Sequence, residues 1–191
     1  MALAKQNEPN LYPGMNDSSI EFFSVEGEVK VISNRKIKDF TETPFAIIQL
    51  LKEEIEADKK LKMALLDWHP NSEFARIEQF AKCRFGGLDF KPDIQHNNLQ
   101  EGEYWNCPIR NNCPNNGVVC NHPKYNDIPL TSDDIKLMQL LSTNLTNEHI
   151  AFQMQKAFGS YHKLKQSLYE KLGGIQTKQE VALIAKSLNL I

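Results

Sequence analysis

The stretch from Leu130 to Ile191 constrains the fold most, because it breaks into short apolar-periodic segments, each with its own start and stop signal. Thr131 can cap a first helix, Asp133 and Asp134 add negative charge to its first turn, and Asp134 stands at the third position of a capping box. Ile135, Met138, Leu141 and Leu145 give that helix one apolar face. Thr146 opens a second helix with Ile150, Ala151 and Met154 inward. A third runs from about Ser160 through Tyr161, Leu164, Leu168 and Leu172 to the Gly173-Gly174 stop. Gln179 to Leu188 makes a fourth, burying Val181, Ile184, Ala185 and Leu188. Four short helices joined by tight turns form a small bundle.

Upstream the pattern is mixed. Residues 1–18 are polar and carry Pro9, Pro13 and Gly14, which predicts a flexible arm. Ile20 to Val25 and Glu28 to Ile32 are β-type runs around Glu26-Gly27, the signature of a hairpin. Thr43-Pro44 opens a long helical pattern that continues past the charged stretch Glu56 to Lys60 as one kinked helix or two, and stops at Pro70. Asn71-Ser72 can cap a further helix whose stripe is Phe74, Ile77, Phe80 and Ala81. The expected fold is mainly α with a small β hairpin. An N-terminal α+β body over 19–82 is followed by an irregular four-cysteine segment over 83–123 and a C-terminal helical domain over 124–191.

The irregular segment holds every cysteine. Cys83, Cys107, Cys113 and Cys120 are separated by 23, 5 and 6 residues, in a stretch rich in Gly and Pro with little periodicity. So long an irregular run inside a compact protein calls for an ordering agent. Four thiolates can close a tetrahedral shell around zinc, the alternative being an iron–sulfur cluster. The spacing decides neither, since no cysteine pair is separated by two residues as in a zinc knuckle. His96 and His122 are possible substitutes for one cysteine, buried or unpaired thiols are the plain alternative, and Phe85, Phe90, Tyr104 and Trp105 would wall the site.

The C-terminal third resembles the LuxR-type helix-turn-helix domain. Leu130-Thr131 opens as that family does; Asp134-Ile135, Leu140-Leu141 and Leu145-Thr146-Asn147 follow its first helix and turn; Ile150-Ala151, Lys171-Leu172-Gly173 and Glu180-Val181-Ala182 match its later signatures. The chain departs where the family has Ser-Pro-x-Thr-Val, here Ala157-Phe158-Gly159-Ser160-Tyr161, and at the family's histidine and asparagine positions, here Leu164 and Ser167. The whole chain is similar to LuxR-related regulators of Bacteroidota-type bacteria, in which a cysteine-bearing body precedes this head. A looser similarity to the WhiB-like iron–sulfur regulators rests on the first cysteine gap and fails at the middle spacing.

What the resemblance implies is a transcription regulator that binds double-stranded DNA, as a homodimer. Ser160, Tyr161, His162, Lys163 and Gln166 would enter the major groove, Lys156, Lys165 and Lys171 would reach phosphates, and Thr146 with Asn147 would present second-helix amides. Charge agrees in sign: before Lys124 there are 14 basic against 18 acidic residues, and from Lys124 onward 8 against 6. That excess supports only weak sequence-independent affinity, so a protein-interaction module built on a degenerate helix-turn-helix is the competing expectation. An enzyme is not expected, because no motif pairs a thiol with His69, His96 or His122 and no phosphate-cradling glycine loop occurs. The opening residues lack the apolar stretch of a secretory signal and no run approaches membrane-spanning length, so the expected place is the cytoplasm, with no membrane partner.

Overall fold

Paired left-handed residues set the β structure. In the computed structural model, which describes residues 11–191 (Asn111 by its backbone alone), β1 (Glu21–Val25) and β2 (Glu28–Ser33) pair antiparallel across Glu26 and Gly27, with φ of 52° and 89°. Two positive φ values in a two-residue loop match the right-handed twist of the strands it joins. The same device recurs without glycine. Asn34-Arg35 turns β2 into β3 (Lys36–Asp39), and His96-Asn97 joins β4 (Ile94–Gln95) to β5 (Asn98–Leu99). Asn126-Asp127 likewise joins β6 (Lys124–Tyr125) to β7 (Ile128–Pro129). The expected hairpin is therefore a three-stranded sheet, ordered β1-β2-β3, accompanied by two small ribbons.

The described chain divides into two compact units between Gly102 and Glu103. The boundary separates Cys83 from the other three cysteines. In the first unit a 3-10 turn at Phe40–Glu42 leads to α1 (Phe45–Ala57), α2 (Lys59–Trp68) and α3 (Glu73–Arg84). The long helical pattern resolves into two helices because Asp58 leaves the helical region and turns its carboxylate onto the amides of Lys60 and Leu61, at 2.8 and 3.1 Å. Ser72 caps α3 through the Ala75 amide at 3.1 Å. Phe22, Phe40, Leu51, Leu61, Leu65 and Phe80 are fully buried in the core. Phe74 is not a stripe residue. It is 39% exposed and leans its ring on Phe40.

The expected arm over 1–18 is ordered where it is described; residues 1–10 lie outside the described residues. The Gly14 amide donates to Asp17 Oδ1 and Ser19 Oγ, and its carbonyl accepts from Arg35 at 2.7 Å. A Cβ on Gly14 would fall 2.6 Å from the Ile32 carbonyl oxygen, and φ there is 76°, so this approach requires glycine.

The second unit carries α4 (Ser132–Leu141), α5 (Asn147–Gln153), α6 (Phe158–Lys171) and α7 (Lys178–Ser187). Leu137, Met138, Ile150, Tyr161, Leu168, Val181 and Ala185 meet in one core. Thr131, Thr146 and Thr177 cap the starts of α4, α5 and α7. Three of the helices end the same way. Lys156 N–H reaches Ala151 O, Gly174 N–H reaches Tyr169 O and Leu190 N–H reaches Ala185 O, each across one left-handed residue: Gln155, Gly173 or Asn189. Among the described residues no helix is long and apolar enough to cross a membrane.

Candidate nucleic-acid interface

α6 turns one face inward and leaves the other to solvent. Tyr161 and Leu168 are buried and Leu164 half-buried, while Ser160, His162, Lys163 and Gln166 are exposed. α5 stands before it across residues 154–157, and one bond ties the two helices: the Tyr161 hydroxyl donates to Asn147 Oδ1 at 2.7 Å. Burial pushes the Tyr161 phenol up to about 12, with smaller contributions from Tyr169 and Glu148. Tyr161 is thus a core residue and not a base-facing one. Its aromatic bulk at this position fills the space between α5 and α6.

The lysines divide in two groups. Lys163 is exposed and has no carboxylate partner among the described residues. Lys171, expected to reach phosphate, instead donates to Asp134 Oδ2 at 2.6 Å, and Asp134 is 1% exposed. The same oxygen accepts from the amide and hydroxyl of Thr131 at 2.9 and 2.8 Å. Burial alone would raise the Asp134 pKa, but Lys171 and the two Thr131 donors outweigh it and hold the carboxyl below its ordinary value. Lys156 is paired as well, 3.0 Å from Asp133. Lys165 lies 5.3 Å from the centroid of the Tyr169 ring, its pKa lowered by burial and then by Lys178. Thr146 Oγ1 accepts the His149 amide and Asn147 Oδ1 accepts the Tyr161 hydroxyl, so both side chains have structural duties at the start of α5.

Two exposed aromatic groups that sequence reasoning left out flank the turn between α5 and α6. Phe152, at the end of α5, is 80% exposed, and Phe158, at the start of α6, is 46% exposed with its ring edge-to-face on His162 at 4.5 Å. The signal was the placement of Phe158 where the LuxR-type pattern has Pro. His162, on which Phe158 packs, lines a shallow groove with Lys165, Gln166 and Tyr169 that ends at Gly174 to Gln176.

Among the described residues no three His, Cys, Asp or Glu side chains are placed to hold one ion. Cys83 belongs to the buried stripe of α3, where the Gln79 side-chain amide donates to its sulfur at 3.1 Å. Cys120 is buried, Cys107 and Cys113 are half-buried, and among the described residues no disulfide joins any of the four. The residues as placed fit neither zinc nor an iron–sulfur cluster. The proposed aromatic wall is dispersed too: Phe85 packs against Phe22 and Phe80, and Phe90 stacks on Tyr12 at 4.8 Å. His96 is an exposed hairpin-turn residue.

Order in 103–123 comes from backbone turns and one arginine. Arg110 N–H bonds to Cys107 O, Cys113 N–H to Arg110 O and Asn116 N–H to Cys113 O, so the chain folds back at short intervals. The Arg110 guanidinium lies 4.3 Å from the Tyr104 ring centroid and donates to Trp105 O at 3.1 Å.

No protein-family model matches the chain, and neither a curated protein nor a solved structure matches it. The class of the protein therefore rests on the geometry of its C-terminal unit.

Proposed function

We propose that the chain is a DNA-binding transcription regulator, its C-terminal unit a helix-turn-helix head of LuxR type in which α6 is the recognition helix. The observation that carries this reading is the two-sided character of α6. Tyr161 and Leu168 hold it to the core, while Ser160, His162, Lys163 and Gln166 are exposed on its other side. A helix of that kind fits the major groove and can present its outward polar side chains to base edges. Thr146, Asn147, Lys156, Lys165 and Lys171 support the head or its rim, with Lys163 the residue best placed for phosphate. The working form in this reading is a homodimer, reading half-sites about one helical turn apart.

Fluorescence anisotropy with a labelled duplex at about 50 and about 200 mM salt tests it, because neutralised phosphates give a steep loss of affinity with salt. Lys163→Gln should lower the salt slope by about one. Absence of binding at the lower salt ends the reading.

A second reading is favoured by Phe152 and Phe158, whose exposure is costly on a surface that only meets phosphates. In it the same face docks a protein. Phe152→Ser would then abolish partner capture while leaving the anisotropy of any duplex unchanged.

A further inference from the structure

A buried cation without a counter-ion marks a second site in the C-terminal unit. Arg110 is 7% exposed, yet no carboxylate pairs with it among the described residues. Its guanidinium is stabilised only by the Tyr104 face, the Trp105 carbonyl and a long 3.4 Å contact to Asn116 Oδ1. Arg110 Nε is buried with no hydrogen-bond partner, and so is His122 Nδ1. Buried charges are ordinarily paired, since withdrawing an ion from water without an opposite charge is expensive.

The missing charge has room to bind. Arg110, Tyr104, Asn116 and His122 form one wall of a cleft of about 420 Å³, and α4 supplies the other through Asp133 and Lys136. That volume lies within the range of small-molecule sites. Lys136 is exposed and also lacks a carboxylate partner among the described residues, whereas the negative charge of Asp133 is already answered by Lys156 at 3.0 Å. The cleft is therefore cationic and concave, with Ile135 and Leu140 adding apolar wall. His122 adds a ring nitrogen, its pKa lowered by burial and then by Arg110, so at neutral pH it donates or accepts without adding charge.

We propose that this cleft binds a small molecule bearing oxyanions, a polycarboxylate or a phosphorylated metabolite, held between Arg110 and Lys136. The inference stands apart from nucleic-acid binding, because none of its walls includes the outward face of α6. A delocalised guanidinium on one side and a point charge on the other suit two oxyanion groups, or one oxyanion and its hydroxyl neighbours.

Isothermal titration of the full chain with citrate and, separately, with inorganic phosphate tests the proposal. Saturable binding of at least one probe is expected, weakened about tenfold in Lys136→Gln and retained in Lys186→Gln, a lysine outside the cleft. Arg110→Gln should abolish binding. Because Arg110 also braces its own loop, Lys136→Gln, which alters an exposed side chain, decides the matter if the arginine variant fails to fold. No saturable heat with either probe at about 10 mM, unchanged affinity in Lys136→Gln, or equal weakening in Lys136→Gln and Lys186→Gln would overturn it.

Discussion

Asp134 joins two roles that local sequence assigns separately. As the third residue of a capping box it was legible from Thr131-Ser132-Asp133-Asp134 alone; its ion pair with Lys171, 37 positions away, was not. Lys171→Met should leave a buried carboxylate facing no cation and cost about 3 kcal/mol in chemical denaturation, while Lys163→Gln should cost under about 0.5. If Lys171 served phosphate instead, the first variant would be as stable as the second. The pH sign follows from the depressed Asp134 pKa: its contribution is present above the ordinary aspartate value of 3.8 and is lost as pH falls through the lower folded value. Tyr161 runs the other way. Its raised pKa means the folded state keeps a proton that the unfolded chain releases above about 10, so stability should fall with rising pH from there toward about 12. Tyr161→Phe should remove that alkaline slope in denaturation series, at a cost of about 1 kcal/mol near neutrality for the lost bond to Asn147.

At the level of elements, what was readable was whatever is decided within four or five residues. Thr131, Thr146 and Ser72 each announced a helix start, since a cap is a bond between a side chain and an amide two or three positions on, and Gly173-Gly174 announced a stop through the left-handed backbone it permits. The β3 strand and the two small ribbons escaped, because their turns use Asn34-Arg35, His96-Asn97 and Asn126-Asp127 where the strongest signal would be a glycine. Asparagine tolerates the left-handed region and was the available clue. Gln155 occupies the same region at φ 53° with no such excuse, closing α5. Gln155→Gly should raise stability by about 0.5–1 kcal/mol, read as a higher melting temperature, because glycine enters that conformation without its Cβ penalty. A fall instead would show that the Gln155 side chain contributes more than its backbone costs.

For the molecule as a whole, the cysteines taught the larger lesson. Their spacing and the absence of periodicity over 83–123 suggested a metal, and among the described residues no three His, Cys, Asp or Glu side chains are gathered around one point. What the described residues show holding 103–123 is Arg110, tight backbone turns and Gly117, whose added Cβ would stand 2.7 Å from His122 Nε2. Such a network is invisible in sequence because it joins carbonyls, a ring face and a cation with no fixed spacing. Gly117→Ala should therefore destabilise the second unit by about 2 kcal/mol or more, through the clash and the φ of 82° together, as followed by thermal unfolding. The three helix ends closed by one backbone reversal have a different implication. Since a main-chain reversal closes α6 and its inward Tyr161, Leu168 and Lys171 hold it in place, exposed Ser160 and Lys163 carry little of the scaffold. Selection can rewrite what they recognise, residue by residue, while every intermediate still folds.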